Sequence, residues 1–178
     1  MKIFCVPLIL LSLILNSCEL QNVEIEKDSP SETFLPMEIG NYWKKGTHTY
    51  TEIQDTLRFD SKLYYKFYSL VGGDVISVRY FRLDESNQLL EGYPSDPGKE
   101  YLMAKFDAKV GDTFFTLNDQ SWNDYQVKLI EKTQDKRVFE FDMIYHPNLK
   151  GHPHTVTYFK GKGFEGPWDS VRISGIVY

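Results

Sequence analysis

Apolar and polar positions along this chain change their period once. Near the start, Lys2 is followed by an apolar run from Ile3 to Leu15, interrupted by Pro7 and Ser12 and ending at Asn16-Ser17-Cys18. A bilayer-spanning helix needs about 20 apolar residues. The run is shorter than that, and its cationic start, apolar middle and small-residue end are those of a secretory signal peptide, residues 1–17. From Phe34 onward the period is two. In Asp124–Lys132, Tyr125, Val127 and Leu129 alternate with polar residues; Gln134-Asp135-Lys136 then turns the chain into Arg137–Ile144, with Phe139 and Phe141 on one face. Two alternating runs joined by a short polar turn predict a β-hairpin.

The same reading predicts strands over Tyr42–Ile53, Lys62–Val71, Val75–Leu83, Glu100–Phe106, Thr155–Lys160 and Ser170–Val177. Gly72-Gly73-Asp74 and Asp84-Glu85-Ser86-Asn87 supply turn chemistry between them. No stretch keeps a helical period. The expectation is an all-β domain, residues 34–178: an antiparallel meander curled into a barrel or half-barrel, with a two-sheet sandwich as the alternative.

Composition divides the chain further. Residues 18–33 carry Glu19, Glu24, Glu26, Asp28 and Glu32 around Ser29-Pro30-Ser31, too charged and too poor in apolar surface to pack, and read as a flexible acidic tether. Fully extended, such a tether reaches about 50 Å. The mature chain from Cys18 carries 19 basic and 25 acidic side chains. With no lysine or arginine block, this balance argues against nucleic acid as a partner. Cys5 lies within the signal and no cysteine follows Cys18, so the domain is stabilised by packing and not by disulfides.

Leu15-Asn16-Ser17-Cys18 resembles a lipobox of the looser kind found in spirochaetes and some Bacteroidetes. Asn16 departs from the usual small or β-branched residue there. The resemblance implies diacylglyceryl on the Cys18 thiol and an acyl chain such as palmitate on its amine, and more than one chain anchors stably. Glu19 lacks the aspartate that signals inner-membrane retention under the enterobacterial rule, which favours an outer-membrane address; the face of that membrane is left open. Phe34-Leu35-Pro36-Met37-Glu38-Ile39-Gly40-Asn41-Tyr42-Trp43 resembles the aromatic-x-Pro-Leu-x-x-Gly-Asn-x-Trp opening of a loose group of bacterial lipoproteins of uncharacterised function. Lys62–Tyr65, Tyr80–Asp84, Val110–Phe114 and Gly161–Phe164 follow in that group's order. The resemblance implies an extracytoplasmic β-rich domain and brings no catalytic residues. In physical terms the opening reads as structural: Pro36 keeps Leu35 extended, Gly40 permits a bend, and Trp43 starts a strand by filling the core.

Candidate chemistry is sparse. His146, His152 and His154 fall within nine residues, and the last two share one face of an extended segment. They are candidate metal ligands, set against a plain surface loop; zinc would want three or four ligands. The scattered aspartates read as turn formers, and no nucleophile, zinc-protease or phosphate-loop motif occurs. No cofactor is implied. Tyr64, Tyr65, Phe67, Tyr68, Tyr80 and Phe81 lie on two neighbouring strands, and consecutive Tyr64-Tyr65 must face opposite sides of a sheet; one ringed face could line a groove, with Tyr64, Tyr65 and Tyr80 as candidate ligand contacts. The expected function is a membrane-tethered binding or interaction module for an apolar ligand or another envelope protein. The alternative is a small envelope hydrolase acting on carbohydrate.

Overall fold

The computed structural model describes residues 32–178. The expected signal peptide, Cys18 and nearly all of the tether lie outside the described residues. Thirteen strands follow in order: β1 (Tyr42–Lys45), β2 (Thr49–Phe59), β3 (Lys62–Val71), β4 (Val75–Leu83), β5 (Gln88–Tyr93), β6 (Asp96–Lys105), β7 (Thr113–Phe115), β8 (Gln126–Lys132), β9 (Lys136–Asp142), β10 (His154–Phe159), β11 (Gly163–Phe164), β12 (Ser170–Ile173) and β13 (Ile176–Val177). They form an eight-stranded sheet, β13-β12-β1-β2-β3-β4-β5-β6, and a five-stranded sheet, β11-β10-β9-β8-β7. All pairings are antiparallel. The domain is all-β, as its alternation predicts, and the two sheets do not close into a barrel.

The hairpin expected around residue 134 is β8–β9, with Val127 opposite Phe141 and Leu129 opposite Phe139. All four side chains are buried on one face, because residues two apart in a strand point the same way. Two expected strands are each divided. Gly46, at φ +62°, turns the chain between β1 and β2 within Tyr42–Ile53, and Ser174-Gly175 folds Ser170–Val177 back into β12 and β13. Strand β5 was not anticipated, because Glu91 and Gly92 break its apolar pattern.

The core lies between the sheets. Trp43, Ile53, Phe67, Phe81 and Leu89 of the large sheet meet Val127, Phe139, Phe141 and Tyr158 of the small one. Phe106, just past β6, packs edge-on against Tyr158 with ring centroids 5.1 Å apart, a favourable aromatic geometry. The Phe34–Trp43 segment seals one end: Phe34 stacks on Phe106 at 5.3 Å, and Leu35 is fully buried. The Asn41 amide donates to Pro36 O and its Oδ1 accepts from Ser174 N. Trp43 Nε1 donates to Lys162 O at 2.6 Å and so ties the large sheet to the β10–β11 turn. At Gly163, φ is +81° and a Cβ would sit 2.6 Å from the Trp43 ring; only glycine fits there. At the other edge, Leu102 N donates to Thr116 O at 2.9 Å, linking β6 to the chain beyond β7.

Candidate functional site

Between these two edge links the sheets separate enough to leave an open cleft of about 500 Å³. Its wall on the large sheet comes from alternate residues of three strands: Arg79 and Phe81 of β4, Glu91 and Tyr93 of β5, Tyr101 and Met103 of β6. Facing them are Phe141 of β9, His154, Val156 and Tyr158 of β10, and Phe164 of β11, with Met143, Thr116, Asn123 and Tyr125 completing the lining. The period-two rule therefore carries both core and cleft: Phe81 sits in the core and Arg79, two residues earlier, points to the same side.

Arg79 and Glu91 are the charged groups of this wall. Arg79 Nε donates to Glu91 Oε1 at 2.9 Å and Nη2 to Oε2 at 2.6 Å, a bidentate pair. Glu91 Oε1 also accepts the Tyr93 hydroxyl at 3.0 Å, and Glu91 is only 4% exposed. Burial works against the Arg79 charge, but the two bonds to Glu91 outweigh it and hold the guanidinium above its ordinary pKa. The Tyr93 hydroxyl is pushed up to about 12, first by burial and then by the Glu91 carboxylate. Burial also raises Tyr158, with Arg79 opposing and Glu91 adding to the rise. Both phenols are thus neutral donors at physiological pH, beside an ion pair of zero net charge.

The loop at the mouth is held from within. Asp124 is fully buried, and its carboxylate accepts from Thr116 Oγ1, Leu117 N, Asp119 N and Gln120 N. Asn118 and Gln120 take positive φ there, a strained backbone that these bonds offset. Thr116 Oγ1 in turn accepts from Tyr125 N, which places Tyr125 at the rim. No family model, curated protein or solved structure matches this chain.

Of the candidates drawn from sequence, Phe81 and His154 reach the cleft, and His154 is the one histidine that does. Its ring stacks on Phe141 at 5.3 Å and meets Tyr125 edge-on at 5.6 Å. His146 instead accepts from Asn148 N and Leu149 N within its own loop and packs against Trp122, and His152 is exposed. The three histidines are not gathered: among the described residues, no group of three or more His, Cys, Asp or Glu is placed to hold a metal ion.

Tyr64 and Tyr65 do face opposite sides, but neither lines the cleft. Tyr65 packs against the core. Tyr64 is buried on the outer face of the large sheet, stacked on Phe59 at 3.9 Å with its hydroxyl donating to Glu100 at 2.5 Å. Tyr80 joins that outer cluster, edge-on to Phe59. The cleft residues absent from the sequence reading, Arg79, Glu91 and Tyr158 above all, did leave a signal. Arg79 and Glu91 are charges in the inward register of Arg79-Tyr80-Phe81 and Leu89-Leu90-Glu91, and an inward charge needs a buried partner.

Proposed function

We propose that this chain is a lipid-anchored envelope protein whose β domain binds a small, neutral, largely apolar molecule between its two sheets. The anchor rests on the signal-like residues 1–17 and Cys18, with the outer membrane as the favoured address. The binding reading rests on one observation, the open cleft of about 500 Å³ whose charges, Arg79 and Glu91, neutralise each other. That volume lies within the range of about 300–1,000 Å³ typical of small-molecule sites. Aromatic and methionine walls with a few convergent polar groups are their usual lining. Glycoside cleavage uses two carboxyl groups about 5–10 Å apart across a cleft. Here Glu91 is the carboxylate of the lining and is already engaged by Arg79, which favours binding over hydrolysis.

The test is a titration with 1-N-phenylnaphthylamine, a neutral fluorophore that brightens in apolar surroundings. The wild-type chain should show saturable enhancement. Met103→Trp, which fills the cleft from its β6 wall, should lose most of it while unfolding at a similar temperature. Equal enhancement in both chains, or none in the wild type, would reject the cleft as a binding site.

A further inference from the structure

Resting on the cleft as a ligand site, we infer that it recognises its ligand through a neutral carbonyl-type oxygen that accepts from the Tyr158 hydroxyl. The first observation is Tyr158 itself. The residue is 3% exposed, yet among the described residues its hydroxyl has no hydrogen-bond partner. No fully enclosed side-chain nitrogen or oxygen among those residues lacks a partner. The Tyr158 oxygen is therefore not fully enclosed: what little surface the residue keeps includes that atom, and Tyr158 lines the cleft. A buried phenol that meets nothing in the protein is unfavourable unless something else completes it.

The balance of donors and acceptors then selects the chemistry. Glu91 already accepts three hydrogen bonds, two from Arg79 and one from Tyr93. Arg79 spends Nε and Nη2 on that carboxylate, and Nη1 makes no hydrogen bond among the described residues. The Nη1 hydrogens of Arg79 and, on the facing sheet, the Tyr158 O–H are thus unspent donors. A carbonyl oxygen has two lone pairs and no hydrogen of its own, so it accepts from the Tyr158 hydroxyl without adding a demand. A carboxylate would meet Arg79 and Glu91 together, attraction offset by repulsion, while losing its hydration. Phe81, Met103, Phe141, Val156 and Phe164 leave room for a flat hydrocarbon body next to that oxygen.

A matched trio of ligands tests this. In the full chain carrying Cys18→Ala, so that no acyl chain competes, bound 1-N-phenylnaphthylamine is displaced by 2-acetylnaphthalene, 2-ethylnaphthalene or 2-naphthoate. The ketone and the hydrocarbon share one carbon skeleton and differ only in a C=O group in place of a CH₂. The ketone should displace at about five- to tenfold lower concentration, the worth of one neutral hydrogen bond, and the anion should do no better than the hydrocarbon. Tyr158→Phe removes only a hydroxyl without a protein partner. It should unfold at the wild-type temperature and lose the preference for the ketone over 2-ethylnaphthalene. If the probe binds but ketone and hydrocarbon displace it equally, or if Tyr158→Phe keeps the preference, the carbonyl assignment falls and the cleft reading stands. If the probe does not bind the wild type at all, the cleft reading falls and the assignment with it.

Discussion

The Glu100 carboxylate, on the outer face of the large sheet, accepts four hydrogen bonds: Tyr64 Oη and Arg82 Nε on one oxygen, Lys62 Nζ and Arg82 Nη2 on the other. Partial burial disfavours its charge, but the bonds from Arg82, Lys62 and Tyr64 outweigh that and hold its pKa at about 2. A carboxylate lowered on folding stabilises above its unfolded pKa and loses that contribution as pH falls through the folded one. Wild type should therefore be about 1–2 kcal/mol more stable than Glu100→Gln at pH 7. The gap should narrow below about pH 4.5 and close near pH 2. Denaturant midpoints of the two chains across that range measure it; a gap independent of pH would mean that the carboxylate charge contributes nothing.

Among the elements, the segment between β7 and β8 shows how a loop becomes a fixed rim. Its aspartate was legible as a turn former, but not its burial, because Asp124 reaches its donors only once Thr116 and Tyr125 are brought side by side by the β7–β8 pairing. Asp124→Ala strands four donors and should cost about 2–4 kcal/mol. It should also weaken 1-N-phenylnaphthylamine binding, since Asn123 and Tyr125 line the mouth; unchanged thermal stability would show the loop to be held by other means. The β3–β4 hairpin is the opposite case. Gly72-Gly73-Asp74 announces it in the sequence, and both glycines take positive φ in the turn. Yet Val71, Val75, Ile76 and Val78 near its tip are exposed. Strand β4 pairs with β5 only from Tyr80 onward, so these apolar positions near the tip lie outside the core.

For the whole molecule, the proposed link between domain and membrane rests on residues before the described domain. A Cys18→Ala chain should fractionate as soluble protein while the wild type sediments with membranes; a variant still in the membrane pellet would remove the lipid anchor. The acidic tether would hold the cleft away from headgroups. The large sheet carries ion pairs and stacked rings on its outer face and the cleft lining on its inner one.

The sequence alone determined what depends on near neighbours in the chain. Period-two alternation assigned strands and the faces of Phe139, Phe141, Tyr64 and Tyr65, because a strand places successive side chains on opposite sides whatever it pairs with. Glycine and aspartate marked turns because their backbone preferences are local. The cleft was decided only by tertiary structure. Arg79 and Glu91 are 12 residues apart, Tyr158 lies in the other sheet, and the histidines that cluster in sequence are dispersed by the ends of two strands and a loop. Which inward position becomes packed core and which becomes cavity depends on how far two sheets separate, and no short stretch of chain carries that distance.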